Sequence, residues 1–135
     1  MKRYNVILIA DPDRTHLLMC RRLHDPFRGK YNMVGGHVEA GESEDDAAYR
    51  ELFEESGITR DDVALTRVMD LVYYHENLEI EVYAGRLTHP VEVHGEENPL
   101  TWISIDENFF DKERFAGNGN IGHILIETLL SGALG

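Results

Sequence analysis

The stretch that decides the fold runs from Gly35 to Ile58 and reads GGHVEAGESEDDAAYRELFEESGI. It begins with two glycines, continues through a short acidic loop and ends in a helical pattern. Ser43 is a good helix N-cap because its hydroxyl can accept a hydrogen bond from a free backbone N–H, and acidic residues follow it. Gly57 suits the C-terminus of the same helix. The stretch therefore predicts a glycine turn, a loop and one helix.

Three glutamates of this helix, Glu51, Glu54 and Glu55, share one side of it because residues three and four apart are neighbours on a helix surface. Like charges at this spacing repel each other, and a bound cation would remove that cost. Carboxylate oxygens are hard ligands that suit Mg²⁺ or Mn²⁺. A solvated acidic helix face is the alternative interpretation of the three glutamates alone.

The residues around these glutamates resemble the Nudix box of the Nudix hydrolase superfamily. The pattern consists of seven identities and two aliphatic positions at fixed spacing: Gly36, Glu42, Arg50, Glu51, Leu52, Glu54, Glu55, Gly57 and Ile58. The resemblance implies an α/β/α sandwich in which a loop–helix–loop binds divalent metal. It also implies hydrolysis of a nucleoside diphosphate that is linked to a further group.

The resemblance assigns the metal, Mg²⁺ or alternatively Mn²⁺, to the carbonyl of Gly36 and the carboxylates of Glu51, Glu54 and Glu55. Mg²⁺ normally keeps positions for water and substrate phosphates besides one or two carboxylates.

The resemblance also implies that Arg50 pairs with Glu42 and so orients the loop against the helix. For the general base it leaves Glu51, Glu54 and an acid of a later loop open. Glu97 is the leading loop candidate, since it lies five residues before the only tryptophan, Trp102, and Glu96 is its neighbour.

Substrate choice must come from residues outside the box. The segment that ends in Asn32 resembles the entry to the box in MutT-like and 8-oxo-purine nucleotide hydrolases, where an asparagine reads the base edge. An amide offers donors and an acceptor, which suits a purine; a purely local backbone role is the alternative. Asn118 offers a second amide in a later loop. The pair of acidic residues that some members use is not evident, and Tyr31 replaces a frequent tryptophan.

One dense basic patch precedes the box and consists of Arg21, Arg22, Arg28 and Lys30. Its members are candidate contacts to substrate phosphates, with Arg21 and Arg28 selected first. The alternative is a solvated strand end.

The remaining apolar patterns predict an α/β fold with a mixed sheet. Strands are predicted over residues 4–10, 15–22, 31–34, 61–74, 78–87, 91–93 and 100–105, with a closing helix over 121–130. The first two strands are predicted to pair as a hairpin. Glu79 and Glu81 are predicted to face solvent, because apolar residues alternate with them. Residues 105–110 are predicted to form one helical turn, and Asn120 to cap the closing helix.

Composition limits the partners of the chain. Its 135 residues suggest one domain spanning 1–135, and a net charge of −12 argues against a nucleic-acid polymer as partner. The single cysteine, Cys20, lies in an apolar run and is interpreted as a packing residue, which favours a reducing compartment. No run is long enough to span a membrane or serve as a secretory signal. We expect a cytoplasmic monomer or homodimer.

The leading hypothesis is a Mg²⁺-dependent enzyme that converts a nucleoside triphosphate into a nucleoside monophosphate and pyrophosphate. Oxidised purine nucleotides such as 8-oxo-dGTP are candidate substrates. One alternative is hydrolysis of ADP-ribose or a nucleotide sugar. Another is a non-catalytic nucleotide-binding regulatory module, although such modules usually lose glutamates from the box.

Overall fold

A computed structural model describes residues 1–135 of the chain. Six strands and two helices follow one another: β1 (Lys2–Ala10), β2 (His16–Arg21), β3 (Tyr31–Asn32), α1 (Glu44–Ser56), β4 (Thr66–Tyr73), β5 (Leu78–Arg86), β6 (Leu100–Ser104) and α2 (Asn120–Ser131). Neither helix is long and apolar enough to cross a membrane.

The strands form one sheet in the order β3-β2-β1-β5-β4, with β6 paired to β2. β1 and β5 run parallel and the other pairs antiparallel, so the predicted mixed sheet is confirmed. The predicted β1–β2 hairpin is only partly right, since the two strands pair at Ala10 and Leu17 alone. The chain after β3 lies beside β1 instead, through bridges at Val34 and His37. This arrangement places the two glycines directly against β1.

Each face of the sheet carries its own core and one helix. Ala48 and Leu52 of α1 are buried in the first core, with Ile7 and Ile9 of β1. Ile121 and other residues of α2 are buried in the second. The protein is therefore the expected α/β/α sandwich.

Both predicted ends of α1 are confirmed. The Ser43 hydroxyl accepts from the backbone N–H of Asp46 at 3.1 Å, and Gly57 has the left-handed φ of 81° that favours glycine. Phe53, an apolar residue of the same helix, lies outside its packing face and is 57% exposed. Ser56 is buried in its place and satisfies its hydroxyl on the Leu52 carbonyl at 2.6 Å.

The prediction that Glu81 faces solvent is wrong, because its side chain is completely buried. β5 lies between β1 and β4 in the sheet. The beginning of α1 covers the face of β5 that carries Glu81. Arg3 on β1 compensates the carboxylate, donating from Nε at 3.1 Å. Arg3 also forms an ion pair with Glu44 in the first turn of α1. The buried carboxylate is tolerated here because it is paired with the half-buried guanidinium of Arg3.

Four further expectations are wrong in detail. Residues 91–93 form no strand and residues 105–110 no helical turn. The strand expected over 61–74 begins only at Thr66, and a register shift lies between Arg67 and Met69. The N-cap of α2 is Gly119, and Asn120 uses its amide to donate to the Tyr73 hydroxyl at 2.6 Å.

Candidate active site

A cavity of about 440 Å³ lies between the glycine turn, the second half of α1 and the loop before β6. We call it the acidic cavity. Its lining includes Gly36, Glu51, Glu54, Glu55, Glu96 and Glu97, together with Cys20, Gly35, His37, Asn98 and Leu100. Every predicted metal ligand and every candidate base therefore lies on one cavity, although α1 and the later loop are 40 residues apart in sequence. Cys20 is buried, as predicted, and burial raises the pKa of its thiol to about 11.

Glu55 is the most strongly perturbed carboxyl of the acidic cavity. One of its oxygens accepts from the Gly35 N–H at 2.6 Å. The pKa of Glu55 is raised to about 7, chiefly by burial and in addition by the charges of Glu51 and Glu97, whereas the hydrogen bond from Gly35 opposes the rise. The carboxylates thus destabilise each other in the absence of a counter-charge.

Glu51 faces Gly36 at close range. A Cβ at position 36 would lie 2.5 Å from the Glu51 carboxyl group and would have to displace it from its present position. Burial raises the pKa of Glu51, and the hydrogen bond from Arg50 opposes the rise. Backbone and carboxylate oxygens are therefore packed together at this point of the cavity.

Arg50 connects the acidic loop to α1. Its Nε and Nη2 donate to the two oxygens of Glu42 at 2.7 and 3.0 Å, so the expected pair is present and bidentate. The guanidinium also donates to the His37 carbonyl at 3.0 Å and to Glu51 at 3.1 Å. The hydrogen bond from Arg50 lowers the pKa of Glu42. One side chain thus ties together the loop, the helix and the glycine turn.

The acidic cavity fits a hard divalent cation by the chemistry of its donors. No three His, Cys, Asp or Glu side chains converge as a ready-made ligand group, because Glu51 and Glu54 are turned towards Arg50 and Glu55 towards Gly35. Such convergence is not required for Mg²⁺, which binds through few carboxylates and fills its octahedron with water and phosphate oxygens. The pKa of Glu55 is raised chiefly by burial and further by the neighbouring carboxylates, and a bound cation would oppose both effects by favouring the ionised carboxyl.

A second compartment of about 500 Å³ continues the acidic cavity towards the end of β2 and shares Glu55, Glu97 and Asn98 with it. Arg22 lines this compartment, whereas Arg21 and Arg28, the predicted phosphate contacts, line neither. Arg22 belongs to the predicted basic patch but was not selected from it. The side-chain period of two along a strand favours Arg22 over Arg21, since Arg22 continues the row of Cys20 on the α1 face.

An apolar cavity of about 540 Å³ lies on the other face of the sheet, beside α2. Its wall is mostly hydrophobic, and its polar members include Asn32, Asn118, Asn120 and Glu76. The two predicted base-contacting asparagines are thus brought together. The Asn32 Oδ1 accepts a hydrogen bond from the backbone N–H of the next residue, Met33, at 2.8 Å. This hydrogen bond fixes the orientation of the Asn32 amide. Glu76, from the β4–β5 turn, is a member that the sequence did not identify.

Comparison with known proteins identifies one family. The family model of the NUDIX domain matches residues 1–121. Oxidized purine nucleoside triphosphate hydrolase of Mus musculus is 31% identical over 108 residues, covering 77% of this chain and 67% of that protein. The protein of the same name from Danio rerio is 32% identical over 110 residues, covering 78% and 68%.

Solved structures agree with the fold. A structure of MutT, from a study of the Aliivibrio salmonicida and Vibrio cholerae proteins, superposes with a TM-score of 0.73 at 26% identity, covering 93% of this chain and 96% of that one. An Ap4A hydrolase of C. elegans superposes with a TM-score of 0.77 and covers 98% and 99%. Its identity of 20% supports the fold alone.

Proposed function

Because the chain belongs to the Nudix hydrolase family, we propose that it hydrolyses a nucleoside triphosphate to a nucleoside monophosphate and pyrophosphate with Mg²⁺. The observation that carries this proposal is the placement of two cavities around one short segment. Asn32 lines the apolar cavity and Gly36, four residues later, lines the acidic one. The two cavities lie on opposite faces of the sheet but adjoin this one segment, along which the base and the phosphates of the substrate are proposed to be held. The names of the mammalian and fish relatives support a triphosphate substrate.

Glu51, Glu54, Glu55 and the Gly36 carbonyl are the proposed ligands of Mg²⁺, with Mn²⁺ as a possible substitute. When bound, the ion neutralises phosphate charge, which is the main requirement of phosphoanhydride cleavage. The chain's own contribution is positioning. Arg50 holds the loop and the helix at a fixed separation, and Arg22 supplies a second positive charge for the distal phosphates.

Glu97 is the proposed general base. It lies across the acidic cavity from α1 and forms no ion pair, whereas Glu51 and Glu54 each accept from Arg50. Its carboxylate is free to take the proton of a water that attacks the phosphorus, while the bond to the leaving phosphate oxygen breaks. The products are a nucleoside monophosphate and pyrophosphate.

The apolar cavity is proposed to select the base through Asn32. Since its oxygen is engaged by the Met33 N–H, its NH₂ group is the part left to read a ligand. A donor favours a base edge that presents a carbonyl oxygen, as 6-oxo and oxidised purines do. Asn118 adds a neutral amide to the same wall.

The test is a Mg²⁺-dependent screen of ordinary and 8-oxo nucleoside triphosphates, ADP-ribose and nucleotide sugars, with Glu54→Gln as the control. Pyrophosphate release from a triphosphate, absent in the control, is the expected result. If only diphosphate-linked substrates are hydrolysed, the proposed substrate is wrong, whereas the proposed chemistry of the acidic cavity stands. Metal-dependent nucleotide binding without any product would instead make the protein a binding module.

A further inference from the structure

Asn5 on β1 holds the glycine turn from beneath. Its backbone N–H donates to the Gly36 carbonyl at 2.8 Å, and its side-chain Oδ1 accepts from the Gly36 N–H at 3.0 Å. Asn5 is only 2% exposed, and a Cβ on Gly35 would collide with its carbonyl oxygen. Both peptide groups that flank the Gly36 Cα are therefore bonded to one residue of the central sheet.

We propose that Asn5 is a positioning residue, which fixes the Gly36 carbonyl for the metal before any metal binds. This inference rests on the proposed function, in which that carbonyl is a ligand. The hydrogen bond from the Asn5 N–H uses one lone pair of the carbonyl oxygen and leaves the other for a cation. Because both flanking peptides are held, the direction of the free lone pair is set by β1.

Glu81 provides a reason for the orientation of the Asn5 amide. The two residues are register partners on the parallel strands β1 and β5, so their side chains leave the sheet on the same face. Each has one buried atom without a hydrogen-bond partner, a donor on Asn5 (Nδ2) and an acceptor on Glu81 (Oε1). The negative charge attracts the NH₂ end of the amide and repels its oxygen. Oδ1 is thereby kept towards Gly36.

The same strand also holds the start of α1. Arg3, two residues before Asn5 on the same face, donates to Glu81 and pairs with Glu44 in the first turn of the helix. β1 thus anchors the glycine turn through Asn5 and the helix start through Arg3. These anchors oppose the mutual repulsion of the cavity glutamates, which would otherwise separate the turn from the helix.

The first experiment measures binding of Mn²⁺ alone, without nucleotide, by electron paramagnetic resonance. Asn5→Leu removes the side-chain acceptor, and we expect Mn²⁺ affinity to fall about tenfold, as with other groups that orient metal ligands. In turnover assays, kcat should fall by about the same factor while KM for the nucleotide changes less than about threefold. Asn5→Asp keeps an oxygen for the Gly36 N–H but would place a second carboxyl beside the buried Glu81, so it is combined with Glu81→Gln. This double variant should restore Mn²⁺ affinity to within about threefold of wild type.

The control is Ile9→Ala, a buried position on the same face of β1 that does not touch the glycine turn. It should lower the melting temperature without changing Mn²⁺ affinity. If Asn5→Leu folds and binds Mn²⁺ as tightly as wild type, the inference is overturned. If wild type itself binds no Mn²⁺, or if Glu54→Gln leaves binding unchanged, the proposed metal site is what fails.

Hydrogen exchange on the unaltered, metal-free protein decides the question even where Asn5→Leu does not fold. The Gly36 N–H should exchange as slowly as the amides of β1, because its partner is buried. Exchange at the rate of an exposed loop amide would show that no clamp exists before metal binds.

Discussion

The raised pKa of Glu55 makes the stability of the metal-free protein depend on pH in a defined direction. The folded carboxyl titrates at about 7, against an ordinary value of 4.5. Between these two values the folded state binds more protons than the unfolded state, so stability falls as pH rises from about 4.5 to about 7. Below about pH 4.5 Glu55 contributes its full stabilisation to the folded state, and well above pH 7 that stabilisation is lost.

The size of the effect follows from the same shift. The difference of 2.5 between 7 and 4.5 corresponds to at most about 3 kcal/mol. Glu55 lines an open cavity, and solvent screening lowers the expected loss to about 1–2 kcal/mol. Mg²⁺ favours the ionised carboxyl, so it should restore stability above pH 7.

The assay is urea unfolding between pH 5 and pH 8 in the presence of a chelator, with Glu55→Gln as the reference. Other carboxyls, such as Asp11 and Asp62, have lowered pKa values and contribute in the opposite sense at acid pH. The difference between wild type and Glu55→Gln cancels them. A difference that does not change with pH, or a Mg²⁺ stabilisation that survives in Glu55→Gln, would refute the assignment of mutual repulsion to this cavity.

Four substitutions, two of them with a matched control at a neighbouring residue, test the remaining assignments by steady-state kinetics. Glu97→Gln should lower kcat by about 10²–10⁴-fold because the proton acceptor is lost. The neighbouring Glu96→Gln should keep kcat within about threefold of wild type. Equal losses of kcat in the two variants would exclude Glu97 as the general base. Arg22→Ala should raise KM about tenfold and Arg21→Ala should not, since only Arg22 lines the second compartment. A larger rise in KM for Arg21→Ala would contradict the assignment of Arg22. Arg50→Lys cannot reproduce the bidentate bond to Glu42 and should lower kcat about 10–100-fold, measured beside its melting temperature to separate misplacement from unfolding. Asn32→Asp keeps the acceptor for Met33 but replaces the donor, so the kcat/KM preference for GTP over ATP should fall about tenfold; an unchanged ratio would exclude Asn32 as the reader of the base.

The box was predictable in detail because its determinants are local. Ser43 and Gly57 end the helix through bonds within a few residues, and the shared side of Glu51, Glu54 and Glu55 follows from helix geometry. The Arg50–Glu42 pair spans only eight residues. Errors occurred where a neighbour distant in sequence decides the outcome. A carboxylate in an alternating strand looks solvent-facing until the helix that covers it and its arginine partner are known.

The amino-acid sequence by itself determined the family, the loop–helix–loop and the acidic chemistry, since these depend on residue types at short fixed spacing. Only the tertiary structure decided that Glu81 is buried and that Asn5 holds the Gly35–Gly36 turn. Those outcomes depend on strand pairing between residues more than 30 positions apart, such as Asn5 with Gly36 and Arg3 with Glu81. Local sequence carries no record of which strand will become the neighbour, because pairing is selected by the packing of the whole sheet.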